Sequence, residues 1–297
     1  MNPRVLVTLG DPRGIGPEVV SKVLSNPPDG ADYVVAGPKD LIAELPCEQV
    51  AVGEQSSLPL SPVEAGRLVG LQVEKAVALA SSGDVDAIVT GPAEKKAFQE
   101  AGYRYPGHTE WLGQLAGGVE TTMMLVSGKL RVVLITTHVA LRDVADSVTR
   151  DEILRAARHT DRALRDWWGL QDPRIALCAL NPHVGDGGLF GVEDDEVLEP
   201  AAREAGVTGP LPADTVFVKA LRGDFDAVLV PYHDVGMTAV KMAGFGSGVN
   251  VTLGLPFIRT APDHGTALDI AGRGIADPGS MWQAVALANE LAQLRLG

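Results

Sequence analysis

Cysteine is scarce in this chain, with only two among 297 residues. Cys47 and Cys178 lie far apart, and Cys178 stands inside the strand-like segment RIALCAL. The sequence therefore lacks both a disulfide framework and a CxxC motif for a metal or redox centre. This pattern is typical of a protein in a reducing environment, so we expect a cytoplasmic location.

Basic runs and long apolar stretches are also missing. The 38 acidic side chains outnumber the 25 basic ones, the formal net charge is −13, and no run of Lys and Arg could follow a phosphate backbone. No apolar stretch reaches the roughly 18 residues of a membrane span, and the N-terminal MNPRVLVTLGD lacks the apolar region of a signal peptide. We therefore expect neither nucleic acid nor a membrane as a partner.

Several familiar signatures are absent too. The chain has no Walker A motif and no GxSxG elbow, and we interpret Cys178 as a core residue rather than a nucleophile. Segment 10–18, GDPRGIGPE, could hold an anion on its backbone amides, but a turn with a helix cap explains it equally well. Segment 185–191, GDGGLFG, approximates a dinucleotide loop, yet the acidic VEDDE behind it would repel a pyrophosphate.

Short β-branched runs do alternate with amphipathic segments, which is typical of parallel sheets with crossover helices. Residues 62–83 and 150–169 have apolar residues at three- and four-residue spacing, as helices covering a sheet should. The predicted strands are 4–10, 33–37, 87–91, 131–137, 174–180, 227–232 and 248–254. We predict an α/β protein that is long enough for two lobes.

The histidines give the strongest chemical signal. Five of the six follow an apolar run or lie in a polar turn, and these are His108, His138, His183, His233 and His264. A single histidine of this kind is usually a hydrogen-bonded loop residue, but the carboxyl ends of parallel strands gather at one crevice. His138, His183 and His233 each end a predicted strand or the turn after it, and three imidazoles form an open divalent-metal site. His159, within an amphipathic helix, is interpreted as a surface residue.

Seven segments resemble, in the same order, the 4-hydroxythreonine-4-phosphate dehydrogenases, the NAD-dependent enzymes of pyridoxal phosphate synthesis. Two of them also resemble the cofactor segments of isopropylmalate and isocitrate dehydrogenases, which bind NAD without a Rossmann fingerprint. The seven are TLGDPRGIGPE (8–18), YPGHTE (105–110), RVVLITTH (131–138), LNPHVGDGG (180–188), GPLPADTVF (209–217), YHDVGM (232–237) and GVNVTLGLPFIRTAPDHGTALDIAGRGIAD (248–277).

The resemblance implies a two-lobed, isocitrate/isopropylmalate dehydrogenase-like fold with mainly parallel sheets and crossover helices. On this basis we expect residues 1–115 with 247–297 to form a cofactor-side domain. Residues 116–246 would form the domain for the metal, the substrate and dimerisation. The family also implies a homodimer whose active site lies at the subunit interface, so that some ligands of one site come from the neighbouring chain.

The family's site residues can be placed on this sequence position by position. The metal ligands match the three strand-end histidines named above, and the metal would be Zn, Mg or Co. The implied substrate contacts are His108, Thr109, Lys241, Asn250 and Arg259. The implied cofactor residues, for NAD or alternatively NADP, are His264, Gly265, Thr266, Ala267 and Asp269. Lys241 and Asp234 are our candidates for moving the proton, with Lys241 favoured because a nearby metal charge would lower its pKa.

The implied reaction is oxidation of 4-hydroxythreonine 4-phosphate to a 3-oxo acid, which decarboxylates to 3-amino-2-oxopropyl phosphate. The chain departs from the family pattern at Arg13, Val235 and Asp186, where alanine, glutamine and glutamate are usual. Three alternatives stay open: a related dehydrogenase of D-threonate or D-erythronate 4-phosphate, one of another hydroxy acid, and a non-catalytic metal or metabolite binder. Many relatives acting on threonate 4-phosphates have a longer insertion near GFGSGVN, which this chain lacks, so the sequence favours the pyridoxine enzyme.

Overall fold

The computed structural model describes residues 2–53, 59–105, 107–244 and 248–297. It divides into two compact units, one of Met1–Thr121 with Val249–Gly297 and the other of Thr122–Gly248. The boundaries expected from the family resemblance were at residues 115 and 246, and the observed ones lie a few residues further along the chain. The functional roles assigned to the two regions stay predictions.

The strands, in chain order, are β1 (Arg4–Thr8), β2 (Asp32–Gly37), β3 (Glu48–Ala51), β4 (Ala87–Val89), β5 (Thr122–Ser127), β6 (Leu130–Leu134), β7 (Ile175–Cys178), β8 (Thr208–Leu211), β9 (Ala227–Val230), β10 (Val249–Leu253) and β11 (Ile258–Pro262). The helices are α1 (Gly16–Ser25), α2 (Lys39–Ile42), α3 (Pro62–Ser81), α4 (Lys95–Glu100), α5 (His108–Leu115), α6 (Val144–Ser147), α7 (Arg150–Asp166), α8 (Glu199–Ala205), α9 (Ala213–Arg222), α10 (His233–Gly244) and α11 (Gly279–Leu296).

In the first unit the strands follow the order β3-β2-β1-β4-β11-β10. All neighbours are parallel except β10 and β11, which pair antiparallel. Helix α3 covers this sheet. Its first turn is fixed by a capping box, in which the Ser61 hydroxyl accepts from the Glu64 amide, and by Pro62 at the first helical position.

In the second unit the order is β5-β6-β9-β7-β8, with only β5 and β6 antiparallel. The inner strands β9 and β7 are buried along their whole length, as strands with both faces covered should be. The mixed α/β architecture with mainly parallel sheets confirms the predicted class. Among the residues the structure describes, none of the helices combines the length and the apolar composition that crossing a bilayer requires.

Candidate active site

His233 begins α10, directly after the buried strand β9. The start of this helix packs tightly against the second-unit sheet, because Gly236 has no side chain to separate them. A Cβ atom added at Gly236 would lie 2.9 Å from side-chain atoms of Val132, Leu134 and Val230. Glycine therefore permits the close approach that fixes the helix start, and with it the backbone of His233.

His138 lies beside His233. The ring centroids of the two imidazoles are 5.8 Å apart and the rings are tilted by 41°. The segments that hold them are joined just before the histidines, since the Thr136 hydroxyl donates to the Pro231 carbonyl at 2.7 Å and the Ile135 amide donates to Val230. Two of the three histidines predicted as metal ligands are thus brought together in one chain.

Asp234 contacts the imidazole of His233. The distance from its Oδ1 to His233 Nδ1 is 2.7 Å, and the carboxyl is largely exposed. A carboxylate accepting from Nδ1–H fixes the tautomer that leaves the lone pair on Nε2, which is the usual arrangement behind a metal-binding histidine. This contact favours a positioning role for Asp234 over the proton transfer considered from the sequence.

His183 lies in an exposed turn after β7 with unusual backbone geometry. The φ angles of His183, Val184 and Asp186 are 54°, 60° and 47°, in the left-handed region that glycine prefers. Each non-glycine residue in this region costs about 1–3 kcal/mol, and such strain is concentrated at functional sites. The strained backbone of this turn is therefore a candidate functional feature, in addition to the imidazole of His183.

The donor set fits a divalent metal in part. Among the described residues, no three His, Cys, Asp or Glu side chains form a cluster that could hold a metal ion. The pair His138 and His233 offers two imidazole ligands, a chemistry suited to Zn²⁺ and similar ions, but His183 does not join it within the single chain. The trio of histidine ligands remains a prediction.

In the first unit, the side chain of Arg259 on β11 is almost fully buried, at 3% exposure. Its Nη1 donates to the Thr252 hydroxyl at 2.9 Å, and its Nε and Nη2 donate to the Thr90 hydroxyl at 3.2 and 2.5 Å. Burial lowers the pKa of Arg259 to about 10, which still leaves the guanidinium charged at neutral pH. Within the described part of the chain, no carboxylate forms an ion pair with it.

A buried charge without a counter-ion is costly, and an anionic ligand removes that cost. The sheet places a second polar atom on the same face. Asn250 lies two residues before Thr252 on β10, and Thr252 lies beside Arg259 across the antiparallel pair. The Asn250 Oδ1 is buried and has no hydrogen-bond partner among the residues that the structure describes. We call Arg259, Thr90, Thr252 and Asn250 the anion position.

The predicted cofactor segment is attached to helix α1 and the loop before it. The Ile15 amide donates to the Thr266 carbonyl at 2.9 Å. Gly14 is required at this contact, because an added Cβ would lie 2.6 Å from the same carbonyl oxygen. The backbone that precedes α1 therefore packs directly on Thr266.

Glu18 and Lys22 form a second attachment, to residues 274–276, which follow the predicted cofactor segment in the chain. The Glu18 carboxylate accepts from the amides of Gly274 and Ala276, at 3.2 and 2.8 Å. The Lys22 ammonium donates to the carbonyls of the same two residues, at 3.0 and 2.7 Å, and pairs with Glu18 at 2.7 Å. The hydrogen bond from Lys22 lowers the pKa of Glu18. We call this arrangement the Glu18–Lys22 clamp.

Within the predicted cofactor segment, the Nδ1 of His264 lies 3.0 Å from the Gly265 carbonyl. This contact assigns the proton to Nδ1 and leaves Nε2 as an acceptor. The Nε2 atom is buried, and no described residue forms a hydrogen bond with it. Such an orphaned acceptor fits a polar ligand such as a nucleotide. Ala267 has a φ of 42°, while Gly265 and Asp269 are exposed.

Arg13, which departs from the family pattern, occupies a structural position in the first unit. Its guanidinium pairs with the fully buried Asp11 at 2.7 Å and with Glu94 at 2.6 Å. The hydrogen bond that the guanidinium donates to Asp11 raises the pKa of Arg13. The residue thereby joins the loop after β1 to the loop after β4. The Val235 side chain, in turn, packs on the apolar core of the second unit.

The remaining predicted residues are less informative. His108 and Thr109 open α5, but the His108 side chain, Pro106 and residues 245–247 lie outside the described part of the structure. Lys241 is exposed on α10, and eight residues of helix place it about 12 Å along the axis from His233. The helix begins at His233 itself, so it leads Lys241 away from the histidine end rather than back toward it.

The prediction that His159 is a surface residue is wrong. Its side chain is half-buried, and Nδ1 lies 2.9 Å from the hydroxyl of the buried Thr122. Sequence reasoning also missed Thr90 and Thr252, the two hydroxyls that orient Arg259. A threonine is common in strands, so the only available signal was the two-residue spacing of Thr252 from Asn250.

Comparisons with known proteins agree on one family. The family model of "Pyridoxal phosphate biosynthetic protein PdxA" matches residues 35–288. The 4-hydroxythreonine-4-phosphate dehydrogenase of Beijerinckia indica is 41% identical over 96% of this chain and 94% of that protein. The D-threonate 4-phosphate dehydrogenase of Cupriavidus necator is 40% identical over 99% and 98%.

Solved structures give the same answer for the fold. The crystal structure of 4-hydroxythreonine-4-phosphate dehydrogenase from Klebsiella pneumoniae has a TM-score of 0.90 and 39% identity, covering 98% of this chain and 100% of that one. A β-decarboxylating dehydrogenase from Thermococcus kodakarensis, at 17% identity, has a TM-score of 0.53 over 97% of this chain and 81% of that one. The second likeness supports the fold alone.

Proposed function

The chain belongs to the family of the pyridoxal phosphate biosynthetic protein PdxA, whose relatives named above are dehydrogenases, and we propose that it oxidises 4-hydroxythreonine 4-phosphate. Its nicotinamide cofactor would be NAD. The observation that supports this substrate most directly is the anion position, a buried Arg259 whose charge has no carboxylate partner among the described residues.

The phosphate of the substrate is the proposed ligand of Arg259. A guanidinium makes charge-assisted hydrogen bonds to phosphate oxygens, and Thr90 and Thr252 already hold it in one orientation. The buried Asn250 Oδ1 would accept from a hydroxyl or ammonium group of the same substrate. His108 and Thr109, at the start of α5, are proposed as further substrate contacts.

The nicotinamide cofactor is proposed to bind along residues 264–269. The orphaned Nε2 of His264 would accept a hydrogen bond from it, while Gly265, Thr266, Ala267 and Asp269 would line the same segment. The Glu18–Lys22 clamp would hold the chain just after this segment, at Gly274 and Ala276, and so limit its conformations. Binding then costs less conformational entropy, because the backbone is already ordered.

His138, His183 and His233 are proposed as ligands of a divalent metal, with zinc, magnesium or cobalt as candidates. Since one chain brings only two of them together, we propose that a second copy of the chain completes the site in a homodimer. When bound, such a metal would lower the pKa of the substrate hydroxyl. Asp234 would hold His233 in the tautomer with a free Nε2.

The proposed chemistry is an oxidative decarboxylation. The nicotinamide cofactor, held along residues 264–269, would supply the hydride acceptor. The substrate alcohol would then lose its O–H proton and the hydride on the same carbon and become a ketone. This ketone is β to the carboxylate, so the C–C bond to the carboxyl group breaks with release of CO₂, and the resulting enolate takes up a proton. Because α10 carries Lys241 away from the histidines of its own chain, Lys241 of the second copy is proposed to exchange these protons. The product would be 3-amino-2-oxopropyl phosphate.

A second candidate substrate is D-threonate 4-phosphate. The observation that favours it is the Cupriavidus relative of that name, which is about as similar to this chain as the 4-hydroxythreonine-4-phosphate dehydrogenases are. Both substrates carry a phosphate, so Arg259 would serve either. The group that differs is an amine in one compound and a hydroxyl in the other.

The test is to follow reduced nicotinamide and released CO₂ with each phosphorylated compound, using NAD and then NADP. The proposal predicts the higher kcat/KM for 4-hydroxythreonine 4-phosphate with NAD, and one CO₂ for each NADH. A higher kcat/KM for D-threonate 4-phosphate would make the second candidate correct. A protein that binds these compounds without forming NADH would instead be a metabolite-binding protein.

A further inference from the structure

Behind the turn of His183 lies a fully buried carboxylate, that of Asp194. This residue begins the helical stretch Asp194–Leu198, which leads into α8. Its Oδ1 accepts from the Leu180 amide and its Oδ2 from the Asn181 amide, each at 2.9 Å. A buried carboxylate is tolerated only when it is hydrogen-bonded, so these two amides and Asp194 depend on one another.

The turn that follows Asn181 has a backbone that needs support. All six residues from 183 to 188 have positive φ angles, and three of them, His183, Val184 and Asp186, are not glycine. A β-branched residue such as Val184 rarely adopts this conformation. Conformations of this kind persist only where the surrounding structure holds them in place.

Asn181, two residues before His183, is held through its side chain as well. Its Nδ2 donates to Glu193 Oε2 at 2.8 Å. Gly191 packs against the same amide, since an added Cβ there would lie 2.7 Å from Nδ2. The turn itself is closed by the Val184 amide, which donates to the Asn181 carbonyl at 3.2 Å. Two neighbouring acidic residues, Glu193 and Asp194, therefore both hold Asn181, just before the left-handed turn starts.

We infer that Asp194 is a positioning residue, which holds the strained turn so that the imidazole of His183 has one orientation. The carboxylate reaches His183 only through the backbone of residues 180–182, so it has no role as a catalytic group. The inference rests on the proposed function, because orienting His183 matters only if that imidazole binds a ligand. Nothing in the reaction itself requires a charge at Asp194.

The first test replaces Asp194 with asparagine and uses Asp195→Asn, at the exposed neighbouring carboxylate, as the control. Asparagine offers one acceptor oxygen, so one of the two amides loses its partner. In the metal-free protein, Asp194→Asn should move and broaden the His183 ring signals in an NMR spectrum. It should also weaken Zn²⁺ binding by about 10–100-fold, the usual effect of removing support behind a ligand. Asp195→Asn should do neither.

The second test asks whether relief of strain replaces the carboxylate. Glycine adopts positive φ freely, so Val184→Gly should restore most of the Zn²⁺ affinity and the His183 signal in the double variant Asp194→Asn/Val184→Gly. If Asp194 only stabilises the fold, the double variant should bind Zn²⁺ more weakly than Asp194→Asn alone. An added glycine makes the chain more flexible, so its loss of affinity would add to that of the first substitution. If Asp194→Asn does not fold, Glu193→Gln should give a smaller change of the same signals.

His183→Ala separates this inference from the proposed function. Weaker Zn²⁺ binding in His183→Ala, together with unchanged His183 signals and Zn²⁺ affinity in Asp194→Asn, would overturn the inference and leave the proposed function standing. Unchanged Zn²⁺ binding in His183→Ala would remove the metal role of His183. In that case the NMR signals of Asp194→Asn decide alone whether Asp194 sets the conformation of the turn.

Discussion

The anion position of the first unit lies on regular strands, whereas the histidines of the second unit lie on the segments that follow strands. Arg259 and Thr252 face each other across β10 and β11, and the guanidinium is buried and oriented by two hydroxyls. His138 and His183 are exposed, and His183 depends on a left-handed turn. Sheet register therefore assembles the proposed anion position within a single chain, while the proposed metal site is only partly assembled there.

This difference suggests that the two sites have different tasks. Groups on strands are placed with little freedom, which suits the recognition of a phosphate of constant shape. Groups on loops can be contributed by more than one chain and adjust when a metal or substrate binds. Substitutions at the two sites should therefore have different effects on substrate recognition and on metal binding.

The largest effect is expected at the anion position. Arg259→Met should lower kcat/KM for the phosphorylated substrate on the order of 10³-fold, since two charge-assisted hydrogen bonds contribute about 1.5–3 kcal/mol each. The KM for NAD should stay within a few-fold of the wild type. Initial-rate kinetics measure both values, with the exposed Arg67→Met as the control. Equal effects on substrate and cofactor would mean that Arg259 is a structural residue.

Lys241, on α10, tests the proposed chemistry of the second unit. Lys241→Met should lower kcat by roughly 10², the usual scale for a lost general acid or base, without changing the metal content. Lys241→Arg should not restore turnover, because a guanidinium does not release its proton near neutral pH. Lys219→Met, at an exposed lysine on α9, is the matched control. If Lys241→Met keeps the wild-type kcat and pH profile, Lys241 has no part in proton transfer.

Asp234 separates positioning from chemistry in the second unit. Asp234→Asn should weaken Zn²⁺ binding by about 10-fold, since the amide supports the His233 tautomer less well than a carboxylate does. Titration with a competing chelator measures this affinity, and Asp224→Asn, at an exposed aspartate, is the control. A loss of turnover with normal Zn²⁺ affinity would return Asp234 to the role of proton carrier.

The lowered pKa of Arg259 makes a prediction about pH. Burial disfavours the charged form and brings the pKa to about 10, so the cation is present below that pH and is lost above it. The KM for the phosphorylated substrate should therefore stay constant between about pH 8 and 9, and it should rise as the pH passes the pKa. The Lys241→Met variant should show the same rise; a flat profile in both proteins would exclude this titration.

The smallest effect is expected at the Glu18–Lys22 clamp. Glu18→Gln keeps the shape of the side chain but removes the charge that accepts from two amides, so the KM for NAD should rise by only a few-fold. The KM for the phosphorylated substrate should not change. Lys22→Met should also raise the KM for NAD, because it removes the hydrogen bonds to the carbonyls of Gly274 and Ala276. A change confined to the phosphorylated substrate would contradict the proposed cofactor segment.

Much of the fold was predictable because inner strands and long helices have strong patterns. The seven predicted strands correspond to β1, β2, β4, β6, β7, β9 and β10, and residues 62–83 and 150–169 contain α3 and α7. Four strands were missed, and for three of them, all but β5, the sequence gives a physical reason. β8 contains a Gly-Pro pair and β11 ends in proline, both of which resemble turns, while β3 has only half-exposed or exposed residues.

The candidate sites were predictable only as residue types at strand ends. Sequence position indicated His138 and His233, because both directly follow apolar runs. It could not indicate that Thr90 and Thr252 orient Arg259, since their meeting depends on the pairing of β4, β10 and β11. Nor could it indicate the left-handed turn at His183, where valine and histidine occupy backbone conformations that sequence preferences disfavour.

The most direct measurement compares 4-hydroxythreonine 4-phosphate with unphosphorylated 4-hydroxythreonine. NADH formation is followed by absorbance with the wild-type protein and with Arg259→Met. The account predicts rapid NADH formation only for the phosphorylated compound with the wild type, and a large loss of that preference in the variant. No NADH formation with the phosphorylated compound, or the same preference in Arg259→Met as in the wild type, would contradict it.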